Sequence, residues 1–332
     1  MLSLKEDPWL ALNGPKQSSL PVRAPPTDQA LFDRTLVLQR RRRAAAALPR
    51  HDFLLRHAAD EIAFRISAVL RQFPRALDLG AHHGLIARTL AENAAIGQVI
   101  ALDPCPDLLR ASPGPTVCAY EELLPFADAS LDLVVSAFGL QFVNDLPGAL
   151  IQIRRALRPD GLFLAAILGG RTLGELADAL LSAEAWLTGG ASPRVGPFAD
   201  VRDLGALLQR AGFALPVADA ETLTVTYASA LELMHDLRGM GAGNMLAARS
   251  RRPLSRAVLG QALQNYDERY SAGNGRVRAT FEIVWLTGWA PHESQQQPLR
   301  PGTARMRLAD ALGTCERPAG EKTPGPDEHT SG

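Results

Sequence analysis

The chain has 332 residues, 46% of them hydrophobic, and its 35 basic residues balance 35 acidic ones. This length fits one large α/β domain with extensions, or two domains, and the apolar content is ample for a core. A neutral chain is not expected to take nucleic acid or an anionic membrane as its main partner. The three cysteines lie far apart and show neither a disulfide framework nor a metal spacing, which predicts a reducing compartment.

The N-terminal residues carry Glu6 and Asp7 and have no apolar core of the kind found in signal peptides. We therefore expect neither a secretory signal nor an acid-poor transit peptide. No uninterrupted apolar stretch reaches the length of a membrane helix, so we expect no integral membrane segment.

Residues 1–28 are rich in Pro, Ser and Gln, which predicts a disordered tail. Residues 29–72 form a helical lead-in, with predicted helices over 29–48 and 51–71 separated by Pro49. The first helix carries the basic run Arg40–Arg43. That run is open to three interpretations: a phosphate site, a solvated helix face or a contact with a substrate peptide.

Apolar segments and helical segments then alternate, which predicts a doubly wound, mostly parallel sheet in an α/β domain over 73–290. The predicted strands of the first half are 76–79, 98–103, 116–119, 130–137 and 162–167, and the predicted helices are 83–93, 106–111 and 145–157. Arg158–Gly161, with Pro and Gly, is read as the turn between the last of these helices and the strand that follows.

The second half is mostly helical. Its predicted helices are 172–187, 200–211, 228–238 and 254–270, and its predicted strands are 217–227 and 279–289. The stretches 170–200 and 228–275 are expected to be helical insertions on the substrate side, the second one before the last strand. Residues 291–332 are expected to be a largely disordered extension.

A strand, a turn with Gly80 and Gly84, and a helix follow one another over Ala76–Leu90. This is the usual cradle of a nucleotide-like ligand, since glycines allow close approach and a helix N-terminus presents free N–H groups. Asp103 ends the next strand, where a carboxylate can accept both ribose hydroxyls, although it can also cap the helix that follows. A complete G-x-G-x-x-G is absent, which disfavours a nicotinamide dehydrogenase.

The order of these and later motifs resembles the class I S-adenosylmethionine-dependent methyltransferases. The matching motifs are DLGxxxG at Asp78–Gly84, Asp103, Leu124–Phe126, Leu131–Val134 and Leu157–Gly161. The resemblance implies a seven-stranded methyltransferase-like sheet that binds S-adenosyl-L-methionine. It also implies the cofactor-binding residues Asp78, Gly80, Ala81, His82, Gly84, Asp103, Tyr120, Glu121 and Ala137.

Further segments resemble one branch of that superfamily, the assembly factor of respiratory complex I that is also described as a protein arginine hydroxylase. They are Phe142–Pro147, Gly169–Leu176, Asp203–Gly205, Gly239–Gly241, Gly288–Trp289 and His292–Ser294. This resemblance implies a protein substrate, namely an arginine of a complex I subunit. It implies the bacterial cytoplasm, including the inner-membrane periphery, or the mitochondrial matrix if the chain is eukaryotic.

The chain departs from the wider pattern at three places. His82 stands at the middle glycine, where it crowds the methionine end of the cofactor or takes a backbone conformation that favours glycine. Tyr120 stands where the acid that contacts adenine is expected, with Glu121 and Glu122 after it. Gln141–Phe142 replaces a common His-Trp.

No catalytic residue is assigned, because methyl transfer from a sulfonium needs placement more than a dedicated side chain. Substrate-side candidates are Arg171, Glu175, Glu184, Trp186 and the loop 238–244. We expect no metal site: His82 and His83 are adjacent on a turn, and none of the seven histidines begins an H-x-D or H-x-E motif.

Two other functions remain open. One is methylation of a carboxyl group on a carrier protein or small molecule, as in biotin synthesis. The other is an assembly chaperone on a degenerate methyltransferase fold, which holds a subunit without turnover.

Overall fold

The computed structural model describes residues 30–296, 310 and 312–314. The chain divides into two units, one ending at His292 and one from Glu293 onward, and everything below concerns the first. The predicted tail 1–28 and most of the predicted extension 291–332 lie outside the described residues. Among the described residues, no helix combines the length and the apolar character needed to cross a membrane.

Nine helices and eight strands are described in the first unit. The helices are α1 Arg34–Ala44, α2 Phe53–Ser67, α3 Leu85–Ala91, α4 Pro106–Leu109, α5 Leu146–Ala156, α6 Gly174–Thr188, α7 Val201–Arg210, α8 Ala230–Gly239 and α9 Arg256–Arg269. The strands are β1 Phe73–Leu79, β2 Ile96–Leu102, β3 Thr116–Val117, β4 Leu131–Ala137, β5 Leu157–Leu168, β6 Ala214–Tyr227, β7 Ser271–Gly273 and β8 Arg276–Trp289.

Several helices begin where a short polar side chain accepts a hydrogen bond from the first turn. Asp33 accepts from Leu36 N and so begins α1 at residue 34, later than the predicted start at 29. The first turns of α5, α8 and α9 are capped in the same way, by the side chains of Asp145, Ser229 and Ser255.

The strands form one sheet in the order β3-β2-β1-β4-β5-β8-β6, with the short β7 paired to β8. The first five strands are parallel, and β8 runs antiparallel to β5 and β6. The predicted doubly wound, mostly parallel seven-stranded sheet is therefore confirmed, and β7 adds an eighth strand that the sequence pattern did not indicate.

Two apolar cores lie on opposite faces of the sheet, because alternate residues of each strand enter different clusters. Ala76 packs in the core that also holds α2, α3, α6, α8 and α9, while Leu77 packs in the core with α5 and α7. Burial of both faces explains the continuous apolar runs of the parallel strands.

The predicted turn at Arg158–Gly161 lies inside a strand, so the predicted strand start at 162 is wrong. Strand β5 already pairs at Leu157, opposite Leu131, and resumes at Leu162, opposite Leu133. The intervening residues bulge out, with Asp160 at a φ of 65°. The Pro-Asp-Gly signal is thus a real change of direction, but the ladder continues on both sides of it.

Candidate functional site

The residues expected to bind a cofactor meet at one edge of the sheet. Asp78 lies near the end of β1, Asp103 directly follows β2, Glu121 follows β3, and Ala137 ends β4. These strands are parallel and adjacent, so their carboxyl ends form one edge, which is where open α/β sheets bind ligands.

The turn after β1 is shaped by contacts within the protein. Gly80 and Gly84 both have a φ of 74°, and a Cβ on either would overlap the backbone of Gly139 or Ser112. The N–H groups of Gly80 and Ala81 both donate to the carbonyl of Leu102, at 2.8 and 2.9 Å. Close packing within the protein therefore explains why glycine stands at both positions, without a bound ligand.

His82 takes the backbone conformation that the sequence pattern anticipated for a glycine position. Its φ is 50°, in the left-handed region, and its N–H donates to Oδ2 of Asp103 at 3.1 Å. Its Nε2 lies 3.2 Å from the carbonyl oxygen of Ala137. Burial and the nearby Arg41 hold the pKa of His82 well below its ordinary value, so the ring is neutral and Nε2–H donates.

Two arginines of α1 hold the acids of this edge. Arg41 Nη1 lies 3.2 Å from Oδ2 of Asp103 and 3.1 Å from Oε1 of Glu121. Arg34 donates to the other oxygen of Glu121 at 2.5 Å. Both carboxylates are fully buried, and both arginines are at least nine-tenths buried. Glu122, also buried, lies 3.6 Å from Arg34 Nε, so the result is a buried cluster of three acids and two cations.

Burial and charge act against each other in this cluster. Burial raises the pKa of Asp103 to about 6, although Arg41 opposes the rise. Burial also acts to raise the pKa of Glu121, but Arg34 and Arg41 overcome it and lower that pKa. Glu121 is therefore a carboxylate at neutral pH, and its charge depends on α1.

Tyr120 is half-buried and does not supply the missing acid. The guanidinium carbon of Arg34 lies 5.0 Å from the centre of its ring, a cation–π contact. Burial raises the pKa of the Tyr120 hydroxyl. Tyr120 and Glu121 were both predicted to bind the cofactor. Of the two, only Glu121 places a carboxylate beside Arg41, which also contacts Asp103.

Asp78 is fully buried and only partly satisfied. Oδ2 accepts from Ala87 N at 3.0 Å, while Oδ1 has no hydrogen-bond partner among the described residues. Burial raises the pKa of Asp78 to about 8. At neutral pH the carboxyl is therefore mainly protonated, and its unpaired oxygen is open to a hydrogen bond that the described residues do not provide.

A cavity of about 930 Å³ adjoins the cluster, and we call it the chamber. Arg41 and His82 belong to its wall, so the cluster and the chamber are continuous. Much of its lining is apolar and comes from α2, from α6 and the residue before it, from α8 and from β8: Leu54, Leu55, Leu173, Leu176, Leu180, Met234, Leu237 and Phe281 among others. Its size and character are those of a small-molecule or side-chain pocket.

The Gly-rich loop 238–244, predicted to lie on the substrate side, forms part of the chamber wall, and its contact with a substrate stays a prediction. Of the other substrate-side candidates, Glu175 and Glu184 make contacts within the protein, and none of the four belongs to the chamber wall. Glu175 accepts hydrogen bonds from the backbone and hydroxyl of Thr280. Glu184 pairs with Arg194, Trp186 is 67% exposed, and Arg171 donates its backbone N–H to Glu282.

Sequence reasoning did not assign Arg34, and it named Arg41 only within the basic run Arg40–Arg43, as a phosphate site, a solvated face or a substrate contact. Arg34 and Arg41 are seven residues apart, so they share one face of a helix, but the sequence does not say which face turns inward. His83 pairs with Asp52 at 3.1 Å and does not point to a shared ligand with His82. In the described part of the chain, no three His, Cys, Asp or Glu side chains are grouped closely enough to hold a metal ion.

The residues present fit S-adenosylmethionine in chemical type. A carboxylate after β2 accepts hydroxyl donors, and the unpaired oxygen of the mainly protonated Asp78 can donate one further hydrogen bond. In the arrangement described, however, the Asp103 oxygen that faces His82 N also faces Arg41. Cys105 N donates to the other oxygen of Asp103, so three of the four lone pairs of the carboxylate are used, and it can accept both ribose hydroxyls only if Arg41 gives up its contact.

Comparisons with known proteins agree with this architecture. Residues 77–165 match the family model described as a methyltransferase domain. The chain is 14% identical to the YcgJ protein of Bacillus subtilis, covering 71% of this chain and 99% of that one, with a TM-score of 0.51. That likeness concerns the fold alone.

Two groups of relatives are closer in sequence. The chain is 40% identical to the human protein named arginine-hydroxylase NDUFAF5, mitochondrial, covering 88% of this chain and 87% of that protein, and 38% identical to the zebrafish (Danio rerio) protein, with 84% and 89% covered. It is 35% identical to the malonyl-[acyl-carrier protein] O-methyltransferase of Halorhodospira halophila, with 85% and 96% covered. The chain therefore belongs to the family of the NDUFAF5 arginine-hydroxylases, built on a methyltransferase fold.

Proposed function

We propose that this chain binds S-adenosylmethionine at the carboxyl edge of its sheet and modifies a side chain of a protein substrate during assembly of respiratory complex I. The observation that carries the proposal is the buried pair Asp103 and Glu121, which meet at Arg41 where the chamber begins. Kinship with the NDUFAF5 proteins supports a protein substrate, with an arginine as the residue modified in the relatives named for that activity.

Each part of the site has a role in this proposal. Asp103 would accept the ribose hydroxyls once Arg41 has left it, and Glu121 would stay ionised through Arg34. When bound, S-adenosylmethionine would supply a methyl group to a nucleophile of the target side chain: the new bond to carbon forms as the carbon–sulfur bond breaks, sulfur keeps the electron pair and leaves as a thioether, and the nucleophile gives up a proton. The apolar chamber would exclude water and hold the target side chain.

The test compares complex I subunits from cells with and without this protein by mass spectrometry. The expected result is a subunit residue that carries the mass of one methyl group only when the protein is present. Asp103→Asn should abolish the modification, whereas Asp107→Asn should retain it, because Asp107 is partly exposed and pairs only with surface arginines. Identical subunit masses in all strains would refute the proposal, and the added mass of one oxygen would show hydroxylation in place of methyl transfer.

A second candidate is an assembly chaperone without turnover, and one observation favours it. Asp103 and Glu121 are already paired with Arg34 and Arg41, and the N–H groups of Gly80, Ala81 and His82 are already bonded inside the protein. A protein that keeps this arrangement would hold a subunit but bind no methyl donor. In that case Asp103→Asn should leave complex I assembly intact, while deletion of the whole protein should stop it.

A further inference from the structure

The chamber wall offers few groups that can accept a proton. Its described lining contains no Asp, Glu, Cys, Lys or Tyr, but it contains the three histidines His51, His82 and His235. A side chain of this wall that acts as a base near neutral pH is therefore a histidine. Methylation of a guanidinium calls for such a base, because the nitrogen that gains the methyl group gives up a proton.

Two of the three histidines are poorly suited to this role. The pKa of His82 lies well below its ordinary value, because the ring is buried and close to Arg41. The Nε2 of His82 is also engaged with the carbonyl oxygen of Ala137. His235 is exposed, and no described residue makes a hydrogen bond to its ring. His51 differs from both, since a carboxylate holds its ring.

Two residues from other elements orient the ring of His51. Its Nδ1 lies 2.6 Å from Oδ1 of Asp236 on α8, and the hydroxyl of Tyr227, at the end of β6, donates to the other oxygen of that carboxylate at 2.8 Å. Burial and the contact with Asp236 raise the pKa of the Tyr227 hydroxyl, which therefore keeps its proton and remains a donor. A carboxylate only accepts hydrogen bonds, so Nδ1 of His51 carries the proton and donates it.

The second ring nitrogen of His51 is left for a ligand. When Nδ1 is protonated in a neutral ring, Nε2 carries the lone pair. No described residue makes a hydrogen bond to this Nε2, and 30% of the side chain is exposed at the chamber wall.

Gly239, at the end of α8, leaves the space that this ring occupies. A Cβ at Gly239 would lie 2.2 Å from Cδ2 and 2.6 Å from Nε2 of His51. Gly239 and His51 both belong to the chamber wall, so the ring is seated where the Gly-rich loop begins. The first glycine of the segment Gly239–Gly241 therefore has a structural reason that connects it to His51.

We infer that His51 is the general base of the proposed reaction, and that its Nε2 takes the proton which the target nitrogen gives up on methylation. The inference rests on the proposed function, which supplies the reaction. The nitrogen–carbon bond forms as the carbon–sulfur bond breaks, sulfur keeps that electron pair, and the proton passes from nitrogen to Nε2 and then to water. Asp236 and Tyr227 are positioning residues, which hold the ring in the required tautomer, and the Asp236 carboxylate stabilises the imidazolium.

The test follows transfer of a labelled methyl group from S-adenosylmethionine, by the full chain, to complex I subunits isolated from cells that lack this protein. His51→Asn is the most informative variant, because the asparagine amide can keep the hydrogen bond to Asp236 but has no counterpart of Nε2. Its kcat should fall about 100-fold or more, the scale of general-base catalysis, while KM changes less than about threefold. Asp236→Asn should lower kcat at least about tenfold, because the tautomer is no longer fixed.

His57→Asn is the matched control. His57 also pairs with a carboxylate, that of Glu221 at 3.0 Å, and its side chain is 35% exposed against 30% for His51, but it is not part of the chamber wall. Its kcat should equal that of the wild type. Thermal melting checks that each variant is folded.

The tautomer of His51 gives a readout that does not depend on turnover. In NMR spectra of the full chain with isotope-labelled histidine, the neutral ring should carry its proton on Nδ1, and Asp236→Asn should reduce that preference. Transfer by the wild type with an unchanged kcat in His51→Asn, or a proton on Nε2 of the neutral ring, would overturn this inference alone. Absence of transfer by the wild type would refute the proposed function, and the general base with it.

Discussion

Arg41 connects the two acids of the candidate site, since one of its nitrogens lies within hydrogen-bonding distance of both Asp103 and Glu121. Burial alone would lower the pKa of Arg41, but Asp103 and Glu121 together raise it. The three groups are therefore charged because of each other, and removal of the cation leaves the acids in an apolar setting.

Arg41→Met should lower the free energy of unfolding by about 3–5 kcal/mol, because it breaks a buried ion pair and leaves Asp103 unpaired. Arg42→Met should cost less than about 1 kcal/mol, since that arginine is largely exposed. Urea denaturation measures both. Equal, small losses for the two variants would contradict the buried cluster.

Asp78 makes the fold sensitive to pH. Its pKa in the folded protein is about 8, above the ordinary 3.8, so the folded state binds the proton more tightly than the unfolded state does. Stability from this group is complete in acid and falls as the pH rises toward 8. Asp78→Asn should remove that fall, gaining on the order of a few kcal/mol relative to the wild type between about pH 5 and about pH 8.

Urea denaturation of both proteins at those two pH values checks this prediction. Asp128→Asn serves as the control, since Asp128 is exposed and pairs with an exposed arginine. A difference between Asp78→Asn and wild type that stays constant with pH would contradict the assignment.

At the scale of elements, the glycine motif between β1 and α3 predicted the secondary structure of the turn but not its packing. The glycine spacing correctly predicted a strand, a turn and a helix. It did not indicate why the glycines are needed, because Gly139 and Ser112, whose backbones meet Gly80 and Gly84, come from distant segments. Contacts between such segments follow from tertiary packing and leave no local pattern.

Gly80→Ala tests this interpretation directly. The added Cβ would overlap Gly139 and force an alanine to a φ of 74°, so we expect a loss above about 2 kcal/mol. Gly260→Ala is the opposite control: nothing lies within 4 Å of its Cβ position, inside α9, and alanine should stabilise that helix by up to about 1 kcal/mol. Thermal melting compares the two, and a neutral Gly80→Ala would refute the packing role.

At the scale of the whole molecule, the sheet topology puts the candidate site at the carboxyl ends of the parallel strands. The alternation of strands and helices was sufficient to predict that edge and Asp103 at the end of a strand, whereas Glu121 was implied by the resemblance to the methyltransferases. The chamber could not be predicted in the same way. Its walls combine α1, α2, α6, α8 and the loop after α8, which come together only through tertiary packing.

If Asp103 gives up its contact with Arg41 and binds a methyl donor, calorimetric titration of the full chain with S-adenosylmethionine shows it most directly. We expect one saturable site, an affinity at least about tenfold weaker for Asp103→Asn, and an unchanged affinity for Asp107→Asn. Absence of heat and of a thermal shift at saturating ligand, or equal affinity in all three proteins, would contradict it.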